Sequence, residues 1–242
     1  MLITKLKVSI ILRCRNNWHL TKQCICSICK NTDKDLYRLI VVNDGSVDET
    51  LEKLSEMADK KENLFVITHI ESKGAVTATN SGLKYVFKNP TPYILILDND
   101  TEILEGNTTW LEDMIKYFEE DESMGAVGAS SDNVIGLQNV RHLTTDKQPK
   151  FLISFCMMMR LSCAKKVGLW DERFNPGNWE DMDFSIRAKR CGYNLNVAKD
   201  VFVIHHFHKT FSQLSIDNLL QINERKGLEK WGERIYYNIK QL

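Results

Sequence analysis

The stretch Tyr93-Ile94-Leu95-Ile96-Leu97-Asp98-Asn99-Asp100 decides the fold and points to a site. Five apolar residues lead directly into two carboxylates that flank an asparagine, which is typical of a buried strand whose carboxyl end reaches a ligand. Two acids one residue apart can share a hard cation, and oxygen ligands suit magnesium or manganese. The alternative interpretation is an Asp/Asn turn after a strand.

The chain before this stretch alternates between apolar strands and helices. We predict the three earlier strands at 6–13, 36–42 and 64–68. Ser46 is expected to cap the second helix, with Glu49 completing a capping box. Four strands alternating with three helices indicate a Rossmann-like, doubly wound, mostly parallel α/β sheet. Ligands bind such sheets beyond the carboxyl ends of the strands, where Asp44 and Asp98 both occur.

The chain after Asp100 continues with shorter elements and ends in a helical tail. We predict helices near 109–120, 162–167 and 181–190, and strands near 124–129, 151–160 and 195–204. The polar stretch 130–150 is expected to be a mobile loop near the site. No linker or repeat interrupts the pattern, so we predict a single domain over residues 1–211 with the tail 212–242 packed on it.

Composition narrows the class of protein. Lysine plus arginine equal aspartate plus glutamate, 32 each in 242 residues, which argues against nucleic acid as a partner. No secretory signal and no apolar run of the roughly 20 residues that span a bilayer are recognisable, so we expect a cytoplasmic protein with no transmembrane segment. Peripheral membrane contact and oligomer formation stay open. The seven cysteines are expected to be reduced, and zinc binding by Cys24, Cys26 and Cys29 is disfavoured because a second pair is missing.

Two segments at strand ends could contact a nucleotide. Asp44 follows the second strand, and its carboxylate could accept the imide N–H of uracil or thymine, although Asp-Gly-Ser is also good turn chemistry. Lys73 and Gly74 open a helix, and a helix start with glycine can approach phosphates. A plain loop with a solvated lysine is an equally good interpretation of the second segment.

An acidic cluster, Glu180, Asp181 and Asp183, begins the helix near 181–190. Acids at a helix start are favoured by the helix dipole alone. The functional interpretation makes Asp181 a general base in a pocket walled by Trp170 and Trp179.

Three histidines, His205, His206 and His208, follow the last strand. An isolated histidine is more often structural than a ligand, but three in four positions favour a metal site shared with Asp98 and Asp100. A neutral imidazole suits manganese better than magnesium or calcium.

Several of these segments together resemble the GT-A glycosyltransferases of family two. The matching segments are 8–12 with Asn16, 41–50, Lys73-Gly74-Ala75 with Asn80 and Gly82, Asp98-Asn99-Asp100, 168–174, 179–184 with Arg187 and Gly192, and His205 with Thr210. The resemblance runs from about residue 6 to 211 and implies a GT-A fold, with a nucleotide-sugar half at about 1–100 and an acceptor half at about 101–211.

The resemblance implies an inverting, metal-dependent transfer of sugar from a UDP- or dTDP-sugar to a hydroxyl of a glycan, lipid-linked or protein acceptor, in surface glycan biosynthesis or protein glycosylation. Asp44, Arg13, Lys73, Gly74, Asp98 and Asn99 would contact the donor. Asp100 and His205 would hold Mn²⁺ or Mg²⁺. Asp181 would be the base, and Trp170, Trp179 and Glu180 would face the acceptor.

The chain departs from the family pattern after the first strand, where Arg13-Cys14-Arg15-Asn16 replaces the usual Pro-x-Tyr-Asn. Arg13 is expected either to touch the nucleotide or to shape the loop. Two rival functions are a nucleotidyltransferase, whose glycine-rich basic loop is missing here, and an inactive nucleotide-sugar-binding module.

Overall fold

The amino-terminal half is a parallel sheet in which β1 lies between β2 and β4. The computed structural model describes residues 5–143, 148–206 and 213–235. Its first elements are β1 (Val8–Cys14), α1 (Trp18–Asn31), β2 (Tyr37–Asp44), α2 (Thr50–Ala58), β3 (Leu64–His69), α3 (Ala75–Lys88) and β4 (Tyr93–Asp98). In register, Ile10 of β1 lies opposite Leu39 on one side and Leu95 on the other. The predicted alternation of four parallel strands and three helices is confirmed.

The second half extends the same sheet with mixed strand directions. Its elements are β5 (Thr101–Ile103), α4 (Trp110–Glu120), β6 (Met124–Ser130), β7 (Cys156–Arg160), α5 (Leu161–Val167), α6 (Glu180–Arg190), β8 (Asn194–His205) and α7 (Gln213–Trp231). The eight strands lie in the order β3-β2-β1-β4-β7-β6-β8-β5. Strand β7 is antiparallel to β4 and β6, and β5 is antiparallel to β8. Strand β4, which ends at Asp98, therefore lies in the middle of the sheet, between β1 of the first half and β7 of the second.

Helices cover both faces of the sheet, and alternate residues of each strand enter two separate cores. Ile10 and Leu12 of β1 pack with α1 and α4, whereas Ile11 packs with α3 and α6. Every residue of β1 is buried, as expected for a central parallel strand covered on both faces. This rigid centre carries Arg13 at its carboxyl end.

Three local predictions were wrong in detail. The capping box at Ser46 does not form, because the Ser46 hydroxyl bonds Asn43 and accepts the Asn16 amide, and α2 begins only at Thr50. Strand β5 was missed, because three residues give no periodic signal. The predicted strand at 151–160 is paired only from Cys156, because side chains take the amides of 152–154.

The predicted loop 130–150 is partly ordered where the structure describes it. Ser131 bridges to Asn139, and a 3-10 turn occupies Gly136–Gln138. Residues 144–147 lie outside the described part, so the mobility of this loop stays a prediction. None of the helices within the described ranges is long and apolar enough to span a membrane.

Candidate active site

Two carboxylates and one imidazole cluster where β4 and β8 end. Asp98 is the last residue of β4, Asp100 follows two positions later, and His205 is the last residue of β8. Strand β5 pairs with β8 so that Thr101 lies opposite His205, which brings Asp100 to the histidine. One ligand atom from each of the three side chains lies within 4.8 Å of the others. A single divalent cation can bridge donors at this spacing.

The His205 ring is oriented for this cluster by its surroundings. It stacks on Phe155 with 5.0 Å between ring centroids. Its Nδ1 lies 3.2 Å from the Asn133 carbonyl oxygen, and its Nε2 lies 3.4 Å from Asp100 Oδ1. Burial would lower the pKa of His205, but the hydrogen bond and charge of Asp100 outweigh it and raise the pKa. A carbonyl bonded to Nδ1 fixes the ring so that Nε2 faces the acids, which is the orientation of a metal-ligating histidine.

The neighbouring histidine is directed elsewhere. His206 Nε2 lies 3.1 Å from Glu102 Oε2, and Gln23 donates to the same oxygen at 2.6 Å. His208 and Thr210 lie outside the described residues. Of the two histidines of this run that the structure describes, His205 is therefore the one brought to Asp98 and Asp100.

Glu180 and Asp181 form a buried pair of acids in the first turn of α6. Asp181 Oδ1 accepts from the Met182 amide at 2.7 Å, and Oδ2 lies 3.4 Å from the Ser154 nitrogen. Glu180 Oε2 is buried and has no hydrogen-bond partner among the described residues. Burial raises the pKa of both carboxyls, and the charge of Asp181 raises the pKa of Glu180 further. A carboxyl tuned toward neutral pH can accept a proton from a hydroxyl in a transition state.

Arg13 connects the acids of the metal cluster with those of α6. Its guanidinium, 8% exposed, forms a short ion pair with Asp98 and donates from Nη1 to Thr79 Oγ1 at 3.3 Å. Burial would lower the pKa of Arg13, but the charges of Asp98, Glu180 and Asp181 together raise it. Asp98 pairs with this buried cation, and the charges of Glu180 and Asp181 also act on it, so the donor-side and base-side candidates share one region of the molecule.

Asp44 is bonded to the protein through both of its oxygens. Oδ1 accepts from His69 Nδ1 at 2.7 Å and the Lys73 amide at 2.8 Å, and Oδ2 accepts from the Ser72 hydroxyl at 2.7 Å and the Gly74 amide at 2.9 Å. Burial would raise the pKa of Asp44, but these donors outweigh it and lower the pKa. In this structure the carboxylate links β2 to the start of α3, and its contact with a base stays a prediction.

The start of α3 is likewise closed by protein groups. The Ala75 amide donates to the Pro176 carbonyl at 2.8 Å, and Asn175 Oδ1 accepts from the two amides that follow, at 3.2 and 3.3 Å. Gly74 has φ +89°, and a Cβ there would lie 2.6 Å from Asn175 Oδ1. The amides expected to approach a phosphate are thus occupied here, while the Lys73 side chain is exposed.

The remaining predicted residues are buried. Asn99 donates to Thr21 Oγ1 at 2.9 Å, which turns its amide toward α1. Trp170 and Trp179 are 2% and 3% exposed. Trp170 stacks on Phe184, and Trp179 stacks on Phe174. Both indoles belong to the core behind Glu180 and Asp181.

The sequence of this site and fold matches a known family. The model of glycosyl transferase family 2 covers residues 9–167. The chain belongs to glycosyl transferase family 2. The matched part contains Asp44, Asp98 and Asp100, while Asp181 and His205 follow it. The predicted family and its α/β GT-A architecture are confirmed.

Solved structures share the family 2 architecture of this chain. The mannosyltransferase PcManGT from Pyrobaculum calidifontis, in complex with GDP-Man and Mn²⁺, superimposes with a TM-score of 0.74 at 16% identity over 96% of this chain and 67% of that one. S. aureus TarS 1–349 in complex with UDP gives 0.70 at 19% identity over 97% and 70%. Identities this low establish the fold alone.

Curated relatives match over shorter stretches. The poly(ribitol-phosphate) beta-glucosyltransferase of Bacillus spizizenii is 31% identical over 99 residues, which are 40% of this chain and 15% of that enzyme. The family 2 chain described here therefore spans only a small part of that relative's length.

Several residues that shape this family 2 site were missed by the sequence analysis. His69 lies opposite Asp44 in the pairing of β3 with β2, so a polar residue at the neighbouring strand end was the available signal. Asn175 caps α3 from 99 positions away. Asn133 and Phe155 orient His205 from loops. No local pattern marks these three residues, because their partners are distant in sequence.

Proposed function

We propose that this chain is an inverting glycosyltransferase that moves a sugar from a nucleotide-diphosphate donor, a UDP- or dTDP-sugar, to an acceptor hydroxyl with the help of Mn²⁺ or Mg²⁺. One observation carries the proposal. Buried Arg13 pairs with Asp98 and also feels the charges of Glu180 and Asp181, so candidates for donor binding and for proton transfer act on one group. The family membership and the GT-A fold support it.

The donor side consists of Asp98, Asp100 and His205. Two carboxylates and a buried imidazole whose Nε2 faces Asp100 fit a divalent cation that accepts oxygen and nitrogen ligands, which favours manganese over magnesium. When bound, such a cation neutralises the negative charge that builds on a departing diphosphate. Asp100 and His205 hold it, Asp98 contacts the ribose or diphosphate region, and Arg13 keeps the Asp98 carboxylate in place. The neighbours solved with GDP-Man and Mn²⁺, or with UDP, are consistent with this side.

The acceptor side consists of Asp181 with Glu180 beside it. Asp181 takes the proton from the acceptor hydroxyl as the hydroxyl oxygen attacks the anomeric carbon from the face opposite the leaving diphosphate. One displacement from the opposite face inverts the configuration at that carbon, as in inverting glycosidases. The raised pKa of Asp181 improves it as a base, because a stronger base accepts the proton more readily near neutral pH.

The rest of the assignment follows this division. Residues of about 1–100, including Asp44, Lys73, Gly74 and Asn99, serve the nucleotide half, and residues of about 101–211 serve the acceptor half. Trp170 and Trp179 support the acceptor side from the core, and the tail 212–242 belongs to the same domain. The acceptor is a glycan, a lipid-linked sugar or a protein, in the building of a surface glycan or the glycosylation of a protein.

A screen of sugar nucleotides tests the proposal. Wild-type protein is assayed with UDP-, dTDP- and GDP-sugars, with and without Mn²⁺, for transfer and for donor hydrolysis. Asp100→Ala is expected to abolish transfer and weaken Mn²⁺-dependent donor binding. Asp181→Asn is expected to bind donor normally but lose about 10²–10⁴-fold in transfer rate. His206→Ala, which changes the neighbouring imidazole outside the cluster, is the matched control and retains activity.

Each contrary outcome identifies the part that fails. Near-normal turnover by Asp181→Asn would remove Asp181 from the role of base. Turnover of a nucleoside triphosphate with a sugar phosphate would indicate a nucleotidyltransferase. Absence of metal-dependent nucleotide binding in calorimetry would indicate that the fold is retained without this activity.

A further inference from the structure

The backbone directly before the acid pair adopts a conformation that needs support. Asn178 has φ 69° and Trp179 has φ 86°, both in the left-handed region. Asparagine tolerates this region, but a bulky residue such as tryptophan is strained there. Glu180 and Asp181 follow at once as the first residues of α6. The direction of both carboxyls therefore depends on what holds the segment 174–179, which leads into them.

Helix α7 holds the segment through one buried amide. Asn223 is fully buried, and its side-chain NH₂ group shares its two hydrogens among three main-chain carbonyls. These are the carbonyls of Phe174 at 2.8 Å, Gly177 at 2.6 Å and Asn178 at 3.1 Å. Peptide carbonyls in a loop have no ladder partner and are costly to bury unbonded. Asn223 thus supplies the hydrogen bonds that a neighbouring strand would otherwise give to the residues before the acid pair.

The same helix contacts both ends of the segment. Gly227 lies against the Trp179 ring so closely that a Cβ would be 2.6 Å from ring atom Cε3. Lys230 Nζ lies 2.6 Å from Asp171 Oδ2 and 2.5 Å from Asp183 Oδ1, which ties the residue before the segment to the helix after it. Asp183 is completely buried, whereas the Lys230 side chain is 19% exposed, so this ion pair lies at the edge of the core.

We infer that one face of α7, formed by Asn223, Gly227 and Lys230, positions the base of the transfer reaction proposed above, on which this inference rests. The three residues are spaced by four and three positions, so they project from one side of the helix. A helix that only covered the core would need apolar contacts. This face instead contacts residues 171–183 through the amide of Asn223, the backbone of Gly227 and the ammonium group of Lys230. The three are positioning residues, because they act on Asp181 through the segment.

Asn223→Ala is compared with Gln221→Ala, which removes an exposed amide from the other side of the same helix. Hydrogen exchange followed by mass spectrometry is expected to show faster exchange over 174–182 in Asn223→Ala and no change in Gln221→Ala. With the sugar nucleotide that wild type turns over, kcat is expected to fall about 100-fold, because a displacement of about 1 Å costs that much. The Kd for UDP with Mn²⁺ is expected to rise by a much smaller factor than kcat falls, because Asp98, Asp100 and His205 lie at the ends of β4 and β8, and the loosened segment contacts the donor side at the start of α3. If Asn223→Ala does not fold, the same measurements are made on Lys230→Gln, which keeps an amide donor between Asp171 and Asp183.

The outcomes separate the two proposals. Unchanged exchange over 174–182, or an unchanged kcat with faster exchange, would overturn the positioning role. A parallel loss of UDP binding and kcat would also overturn it, because it would indicate general unfolding. If wild type turns over no sugar nucleotide, the proposed function fails, and the exchange data still decide whether α7 holds the segment.

Discussion

Replacing Asp44 by asparagine tests whether this residue is a structural link or a reader of the nucleobase. Its carboxylate accepts four hydrogen bonds, from His69, Ser72 and the amides of Lys73 and Gly74. Asparagine keeps one accepting oxygen and turns an NH₂ group toward the other two donors. The Ser72 hydroxyl can rotate to accept from that group, but the Gly74 amide cannot.

The structure sets the size of the expected effect. The variant loses one charge-assisted bond at Gly74, and its remaining bonds become neutral ones. Hydrogen bonds to charged groups contribute about 1.5–3 kcal/mol and neutral ones about 1 kcal/mol. The side chain is only 5% exposed, so solvent does not replace the lost partner. We therefore expect Asp44→Asn to lower the free energy of unfolding by about 2–4 kcal/mol, and Tm by about 5–15 °C for a domain of this size.

The assay is urea unfolding at pH 7 with and without UDP and Mn²⁺. Ser72→Ala removes one of the four donors and is expected to cost about 1.5 kcal/mol, the lower end for a charged acceptor, because Ser72 is exposed. Asp35→Asn changes an exposed acid and is expected to cost nothing measurable. The pKa of Asp44 is lowered by folding. The stabilisation is therefore present above the unfolded pKa of about 3.9 and is lost as the pH falls through the folded value. A loss under 1 kcal/mol in the free protein, combined with weakened UDP binding, would refute the structural link and favour a base contact.

Two further substitutions have defined outcomes. Arg13→Met removes a cation that lowers the pKa of Asp181, so the acidic pH at which transfer activity is lost is expected to rise. Arg13→Lys keeps the positive charge, and the rise is expected to be smaller. An unmoved kcat–pH profile would contradict this coupling between Arg13 and Asp181. Gly74→Ala places a Cβ 2.6 Å from Asn175 Oδ1 at a residue with positive φ, and is expected to lower the free energy of unfolding by about 2–4 kcal/mol. The control Gly106→Ala has a positive φ but no heavy atom within 4 Å of the added Cβ, and is expected to lower it by about 1–2 kcal/mol. Both are measured by thermal unfolding. Equal losses would mean that the contact with Asn175 is unimportant.

The sequence predicts the parallel half of the fold because burial and pairing coincide there. The run from Tyr93 to Leu97 is apolar because helices cover both faces of β4, and the same run is hydrogen-bonded on both sides. Burial and strand pairing do not coincide at 151–155. Leu152 and Phe155 are buried there, but backbone amides such as that of Leu152 donate to side chains instead of a neighbouring strand. Hydrophobicity reports burial, so it extended β7 too far.

The site could be predicted as residue types but not as contacts. The local pattern marked Asp98, Asp100 and Asp181, because acids at strand ends and helix starts are visible in the sequence. The pairing of β5 with β8 selects His205, and no feature of the histidine run itself announces this choice. The same holds for Asn223, whose three carbonyl partners lie more than 40 residues away.

Negative charge exceeds positive charge around the buried guanidinium, and this imbalance unites the two sides of the proposed site. The acids of the proposed site are Asp98, Asp100, Glu180 and Asp181. The guanidinium described with them is that of Arg13. Two features of the structure offset the excess: burial and repulsion raise the pKa of Glu180, and Asp100 raises the pKa of His205. The raised pKa favours the neutral form of Glu180, which lessens the excess of negative charge that a divalent cation would also offset in the proposed enzyme. Because like charges in a buried site repel more strongly than in water, the elements that carry these acids must be held from outside the cluster, as Asn175 holds α3 and Asn223 holds the start of α6.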